Sequence, residues 1–181
     1  MRTLTICAAA VLLSAPQIAA AADAPCLTAK EATAVAAYAM PSVIAGTTQR
    51  CGATLGKDSW IAKNGTSLSK RYAERKAAVW PEAKAALLKM TGGAGSGGSG
   101  DVVLDTLKSM PDETVQQIAD SMVTAAVAER VPANRCFVVD RFLSLIAPLP
   151  PESTAELVAL TLGVVSQGEK PKIGKLALCK A

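Results

Sequence analysis

The chain contains no histidine, and its two tryptophans, two tyrosines and two phenylalanines amount to 3% of 181 residues. The missing imidazole removes Ser-His-Asp and Cys-His nucleophile systems, whose base must titrate near neutral pH. It also removes histidine-ligated zinc, copper and haem. Scarce aromatics leave a core built from small side chains, with few rings to stack on a sugar or a base. No Cys-x-x-Cys occurs, so neither a thioredoxin-like redox motif nor a zinc knuckle has support. No apolar run approaches the ~20 residues of a transmembrane helix. The formal charge of +4 is too small to imply a nucleic-acid partner.

What is present begins with an export signal. Arg2 supplies a positive start, residues 4–13 an apolar run, and Ser14, Pro16 and Gln17 break it before Ala19 to Ala22. This order is that of a secretory signal peptide over 1–22, with cleavage after Ala22 or one residue earlier. The address it implies is periplasmic or secreted, without a membrane anchor. Cys7 leaves with the signal, and Cys26, Cys51, Cys136 and Cys179 remain. An even number in an exported chain predicts two disulfides, for which four cysteines allow three connectivities.

Beyond the signal, only helical periodicity is sustained. Thr28 and Glu31 form a capping box opening a helix that Pro41 interrupts, and Ser42 restarts it as far as Cys51–Gly52. Two such segments, folded back about Met40–Pro41, would bring Cys26 beside Cys51 and leave Cys136 for Cys179. A short turn around Trp60 and Ile61 is expected to stop at Asn64–Gly65, followed by a charged helix over Leu68 to Val79. Trp80–Pro81 reads as a boundary, and Glu82 to Met90 as the next helix. Residues 92–100, rich in Gly and Ser, read as a linker between a half at 23–91 and a half at 101–181, which together make one domain.

The second half predicts helices over Val102 to Met110, from Pro111 to Val131, over Arg135 to Ile146 and over Glu152 to Gln167, then an extended tail. Val115, Ile118, Ala119, Met122 and Ala126 share one helical stripe. Val138, Val139, Phe142, Leu145 and Ile146 are expected to face inward, as is Phe137. The expected fold is all-α, a compact bundle of six to eight short helices stapled by two disulfides.

Motifs that carry chemistry are weak here. Gly93 to Gly98 matches G-x-G-x-x-G, but a helix precedes it and no strand is expected there, so composition alone accounts for the match. Ser67 and Lys70 match S-x-x-K without the Ser-Asp-Asn and Lys-Thr-Gly partners that chemistry needs. Glu113, Asp120, Glu129, Asp140 and Glu152 could pair as acid and base, yet each also reads as a cap or surface charge. Asn64 to Thr66 is a formal glycosylation sequon. Lys63, Lys70, Arg71, Arg75, Lys76, Lys84 and Lys89 make the first half basic; of these Lys70, Arg71, Arg75 and Lys76 are the candidate docking residues for an acidic envelope component. No cofactor or metal is implied. The functional expectation is an exported, non-catalytic envelope protein acting through its surface, as an inhibitor, immunity-type or accessory factor that binds another envelope component. The alternative is a carrier of a hydrophobic or amphipathic small molecule, and a histidine-free hydrolase comes third.

Overall fold

The computed structural model describes residues 26–92, 99–165, 172–173 and 176–179. Residues 1–25, on which the signal-peptide expectation falls, the middle of the Gly/Ser tract and part of the tail lie outside them. The order is β1 (Cys26–Leu27), α1 (Ala29–Leu55), α2 (Trp60–Ala73), α3 (Lys76–Gly92), α4 (Ser99–Ser109), α5 (Asp112–Arg130), a 3-10 turn (Ala133–Arg135), α6 (Cys136–Ile146), α7 (Pro151–Val165), β2 (Lys172–Ile173) and β3 (Leu176–Leu178). The architecture is all-α, with seven helices among the described residues.

Helix α1 is the axle. It packs against α2, α3, α5, α6 and α7, while α4 rests on α3. Buried residues occur all round it: Ala32, Ala34, Tyr38, Met40, Ser42, Ile44, Thr47 and Cys51. That is the pattern of a helix enclosed by neighbours instead of lying on a surface. The capping box at its start forms as expected: the Glu31 amide donates to Thr28 Oγ1 (3.2 Å) and the Thr28 amide donates to Glu31 Oε2 (2.9 Å).

The hairpin expected around Met40–Pro41 does not form. Pro41 lies inside one continuous helix, where its carbonyl accepts from Ser69 Oγ of α2 at 2.8 Å. The residue whose carbonyl Pro41 leaves without an N–H partner is Ala37, which lines an open cleft that water can reach. At 1.5 Å per residue, Cys26 and Cys51 stand roughly 35 Å apart along the axis, far beyond disulfide reach. The connectivity is therefore Cys26–Cys179 and Cys51–Cys136, each with Cα atoms 5.1 Å apart. Both expected pairings are corrected.

Two further breaks also vanish. Asn64–Gly65 stays within α2 because Gly65 is a contact point: a Cβ there would lie 2.2 Å from Thr48 Oγ1 of α1. Trp80–Pro81 stays within α3, where Pro81 is exposed and so is Ala77, whose carbonyl the proline leaves without a donor. Ser99 and Gly100, assigned to the linker, open α4.

The described residues of the tail are extended and form a small sheet with β1 in the order β1-β3-β2. Strand β3 is parallel to β1 (Cys26 opposite Ala177, Leu27 opposite Leu178) and antiparallel to β2. Strands of two or three residues carry no alternation long enough to be read from sequence. The Cys179 amide donates to the Leu27 carbonyl at 2.8 Å, beside the bridge that pins the tail.

The main core gathers Met40, Ile44, Cys51, Ile61, Leu68, Tyr72, Cys136, Leu143 and Ile146. A second cluster holds Ala34, Tyr38, Trp80, Ala83 and Val115. Helices α5 and α6 are rotated relative to the expected stripes. On α6, Cys136, Leu143 and Ile146 face in, while Phe137 (73% exposed), Val138, Phe142 (54%) and Leu145 face out. On α5, Val115 is buried but Ile118 and Met122 are exposed. Cys136, Asp140 and Leu143 lie on one stripe, so the bridge to Cys51 and the bond from the Ile61 amide to Asp140 Oδ1 (2.7 Å) fix how α6 turns.

Candidate functional site

A groove runs along α1 between α6 and α7. Ala32, Ala36, Ala39, Val43 and Thr47 form its floor, at successive steps of three or four residues, so they share one helical stripe. Val35, Met40 and Ile44 flank that stripe. Val139, Phe142, Leu143 and Ile146 of α6 make one wall, and Val158 of α7 stands on the other side. The enclosed volume is about 380 Å³, within the ordinary range for small-molecule sites.

Its lining is almost purely apolar. The one hydroxyl, on Thr47, already donates to the Val43 carbonyl at 2.7 Å. Alanines on the floor keep the helices' side chains short, so the space between α1 and its neighbours is left open. Small residues bring helices close at some crossings and open a channel at this one. Phe142 lines the groove and is also 54% exposed, so its ring forms the lip.

A second, wider cleft of about 540 Å³ lies between α1, α3 and α7. Its floor is Ala34, Ala37, Ala78, Val79 and Ala155, and its rim carries Lys30, Glu82, Glu152 and Glu156. Lys30 pairs with Glu82, and Arg75 pairs with Glu152. The shared hydrogen bond holds the Glu82 carboxyl below its ordinary range and the Lys30 ammonium above its own. Lys30 and Glu82 thus satisfy each other and Glu152 is matched by Arg75, whereas Glu156 is exposed and makes no ion pair among the described residues. The cleft is more open than the groove.

The four basic candidates do not form one face. Arg71 donates to the Ala147 carbonyl and sits 5.8 Å from the Tyr72 ring centroid. Arg75 pairs with Glu152 of α7, and Lys76 with Asp120 of α5. Lys76 also lies 4.3 Å from the Tyr38 ring centroid, a cation–π contact. Lys70 is exposed and makes no ion pair among the described residues. Three of the four thus tie the first half of the chain to the second.

Ser67 and Lys70 are both exposed, without the burial that turns a lysine into a base. The carboxylates disperse as well. Asp140 caps α2 through the Ile61 amide, Glu152 pairs with Arg75, and Glu113 and Glu129 are exposed. No cluster of three or more metal-ligating side chains occurs among the described residues.

Sequence reasoning missed a polar seam between α1, α3 and α5. Ser42 Oγ donates to Asp120 Oδ1 (2.9 Å), Lys76 Nζ bonds Asp120 Oδ2, Tyr38 OH donates to the Gln116 carbonyl (3.4 Å) and Thr124 Oγ1 to the Ser42 carbonyl (3.4 Å). Burial, with the nearby Asp120 charge second, pushes the Tyr38 phenol well above its ordinary range. Gln116, Asp120 and Thr124 recur every four residues, a polar periodicity that could have signalled the seam. It also missed the groove, whose floor residues were read as filler.

No helix among the described residues is long and apolar enough to cross a membrane. No family model matches the chain, and neither a curated protein nor a solved structure is detectably similar to it.

Proposed function

We propose that this is an exported, non-enzymatic protein that binds a hydrophobic or amphipathic small molecule in the groove along α1. The observation that carries this reading is a 380 Å³ channel in which the only polar side chain is already hydrogen-bonded. Burying one methylene in such a site contributes about 0.8 kcal/mol, so a hydrocarbon chain is its natural occupant. Export is supported by the residue order over 1–22 and by two disulfides, which persist in oxidising compartments.

The test is binding of an environment-sensitive acyl probe, dansylamino-undecanoate, to the disulfide-intact protein. One-to-one binding is expected, weakened at least roughly tenfold by Ala36→Trp, whose ring fills the mid-groove. Equal binding to both proteins, each shown folded by its thermal transition, or no binding to either, overturns the reading.

The surface-acting role keeps one specific support. Phe137, Val138, Phe142 and Leu145 all stand exposed on α6, and clustered exposed apolar side chains mark contact surfaces.

A further inference from the structure

The groove has two unlike ends, and the difference names its ligand. At the Ala32 end the nearest carboxylate, Glu31, is held by Lys89 at 2.6 Å and by Thr28. Its charge is matched there. At the other end the floor stripe of α1 continues past Thr47 to Arg50, three residues on. The wall stripe of α6, running Ile146, Phe142 and Val139, leads back toward Arg135, the last residue of the 3-10 turn that enters α6. Arg50 thus extends the floor stripe, and Arg135 stands at the N-terminal end of the wall helix.

The Cys51–Cys136 bridge fixes their proximity. Each arginine immediately precedes one of its half-cystines, whose Cα atoms are 5.1 Å apart. Both are exposed, and neither forms an ion pair among the described residues. Arg50 donates through Nε to the Val131 carbonyl at 3.1 Å, and its terminal nitrogens make no hydrogen bond among the described residues. Glu129, the closest acid along α5, makes no ion pair with them among the described residues. Neither arginine lines the groove itself, but their backbone positions set two guanidinium-bearing residues beside its Thr47 end, and the forked donors of a guanidinium suit a carboxylate or phosphate.

From Ala32 to Thr47 the floor extends about 22 Å. A hydrocarbon zigzag with C–C bonds near 1.5 Å advances about 1.25 Å per carbon, so a chain of roughly eighteen carbons spans it. We infer that the groove takes a single-chain anionic amphiphile, its tail along α1 and its head between Arg50 and Arg135. This rests on the binding role proposed above. The shared chemistry is an acyl or alkyl chain with a terminal oxyanion, whether a fatty carboxylate or an alkyl phosphate of the lysophospholipid kind.

The test uses dodecanoate, dodecyl phosphate and dodecanol, three ligands with one tail length, each displacing the acyl probe. Against the full disulfide-bonded protein, both anions should bind roughly ten- to a hundredfold more tightly than the alcohol, and the tighter anion identifies the head group. In Arg50→Gln/Arg135→Gln that preference should disappear while dodecanol binding persists, which also shows that the variant is folded. Arg135→Gln alone, which removes no side-chain hydrogen bond among the described residues, should lose part of it. Equal binding of all three ligands to the unmodified protein, or a preference that survives the double substitution, overturns the inference and leaves the apolar groove standing. If Ala36→Trp binds all three as the unmodified protein does, the groove itself is the wrong site.

Discussion

A single methyl group separates tolerated from forbidden positions along α1. At Gly46 a Cβ would meet the Thr124 carbonyl oxygen at 2.4 Å, and that backbone atom belongs to α5 and cannot turn away. At Gly52 the nearest atom outside the helix is 3.9 Å away, an ordinary contact. Both glycines weaken the helix relative to alanine by about 0.5–1 kcal/mol. Gly52→Ala should therefore stabilise the protein by up to that amount. Gly46→Ala should destabilise it by about 1–3 kcal/mol, because α5 must back off from α1. Urea denaturation of the two variants reads both signs, and a gain at Gly46 would mean that the crossing is looser than described. The sequence offers no hint of the difference, since two glycines in one helix look alike until their neighbours are known.

At the scale of elements, the legible features were those with local causes. The Thr28/Glu31 capping box, the start of α2, where the sequence offers Asp58 or Ser59 as the cap and Ser59 takes it, and the starts of α5 and α6 need only neighbouring residues. What was not legible was set by distant ones. Pro41, Asn64–Gly65 and Pro81 are punctuation marks on sequence rules, yet the helix runs through each: packing against neighbours holds it at Pro41 and Gly65, and solvent exposure makes the break at Pro81 tolerable. The rotation of α6 could not be read because Phe137, Val138, Phe142, Leu143 and Leu145 are apolar on nearly every side; the bridge at Cys136 and the cap at Asp140 choose the inward face. The groove was hidden for the same reason, its alanines signalling packing and not space.

Two helix starts also carry an acid-sensitive charge. Glu31, in the first turn of α1, is held below its ordinary range first by Lys89 and then by Thr28. Asp112, at the start of α5, is held low by Lys84 and by the Trp80 Nε1–H bond of 2.9 Å. A carboxyl whose pKa is depressed by folding contributes stability above its unfolded pKa, about 4, and loses it as pH falls through the folded value. The urea midpoint should thus hold steady from pH 7 to about pH 5 and fall below about pH 4. In Glu31→Gln/Asp112→Asn it should start lower and fall less steeply below pH 4. An unchanged acid limb in that variant would assign the loss to other groups.

Across the whole molecule, the two bridges do different work. Cys26–Cys179 joins partners 153 residues apart at the sheet, and Cys51–Cys136 joins partners 85 apart in the main core. Loop-closure entropy gives each a stabilisation on the order of 4–5 kcal/mol, a large share of a typical domain's net 5–15. Their accessibility separates them: Cys51 and Cys136 are fully buried, whereas Cys26 and Cys179 are only half-buried. Brief exposure to dilute reductant followed by alkylation should label Cys26 and Cys179 first, and simultaneous labelling of all four would refute the ordering. The consequences for binding should differ too. Cys26→Ser/Cys179→Ser frees β3 from β1, where Leu27 packs on Val35 at the Ala32 end of the groove, but leaves the α6 wall bridged to α1, and should keep most acyl-probe affinity despite a lower thermal midpoint. Cys51→Ser/Cys136→Ser releases α6 from α1 where the groove ends. It should lower probe affinity even at temperatures where the helices persist by circular dichroism, because the wall that carries Val139 and Phe142 is no longer held to its floor.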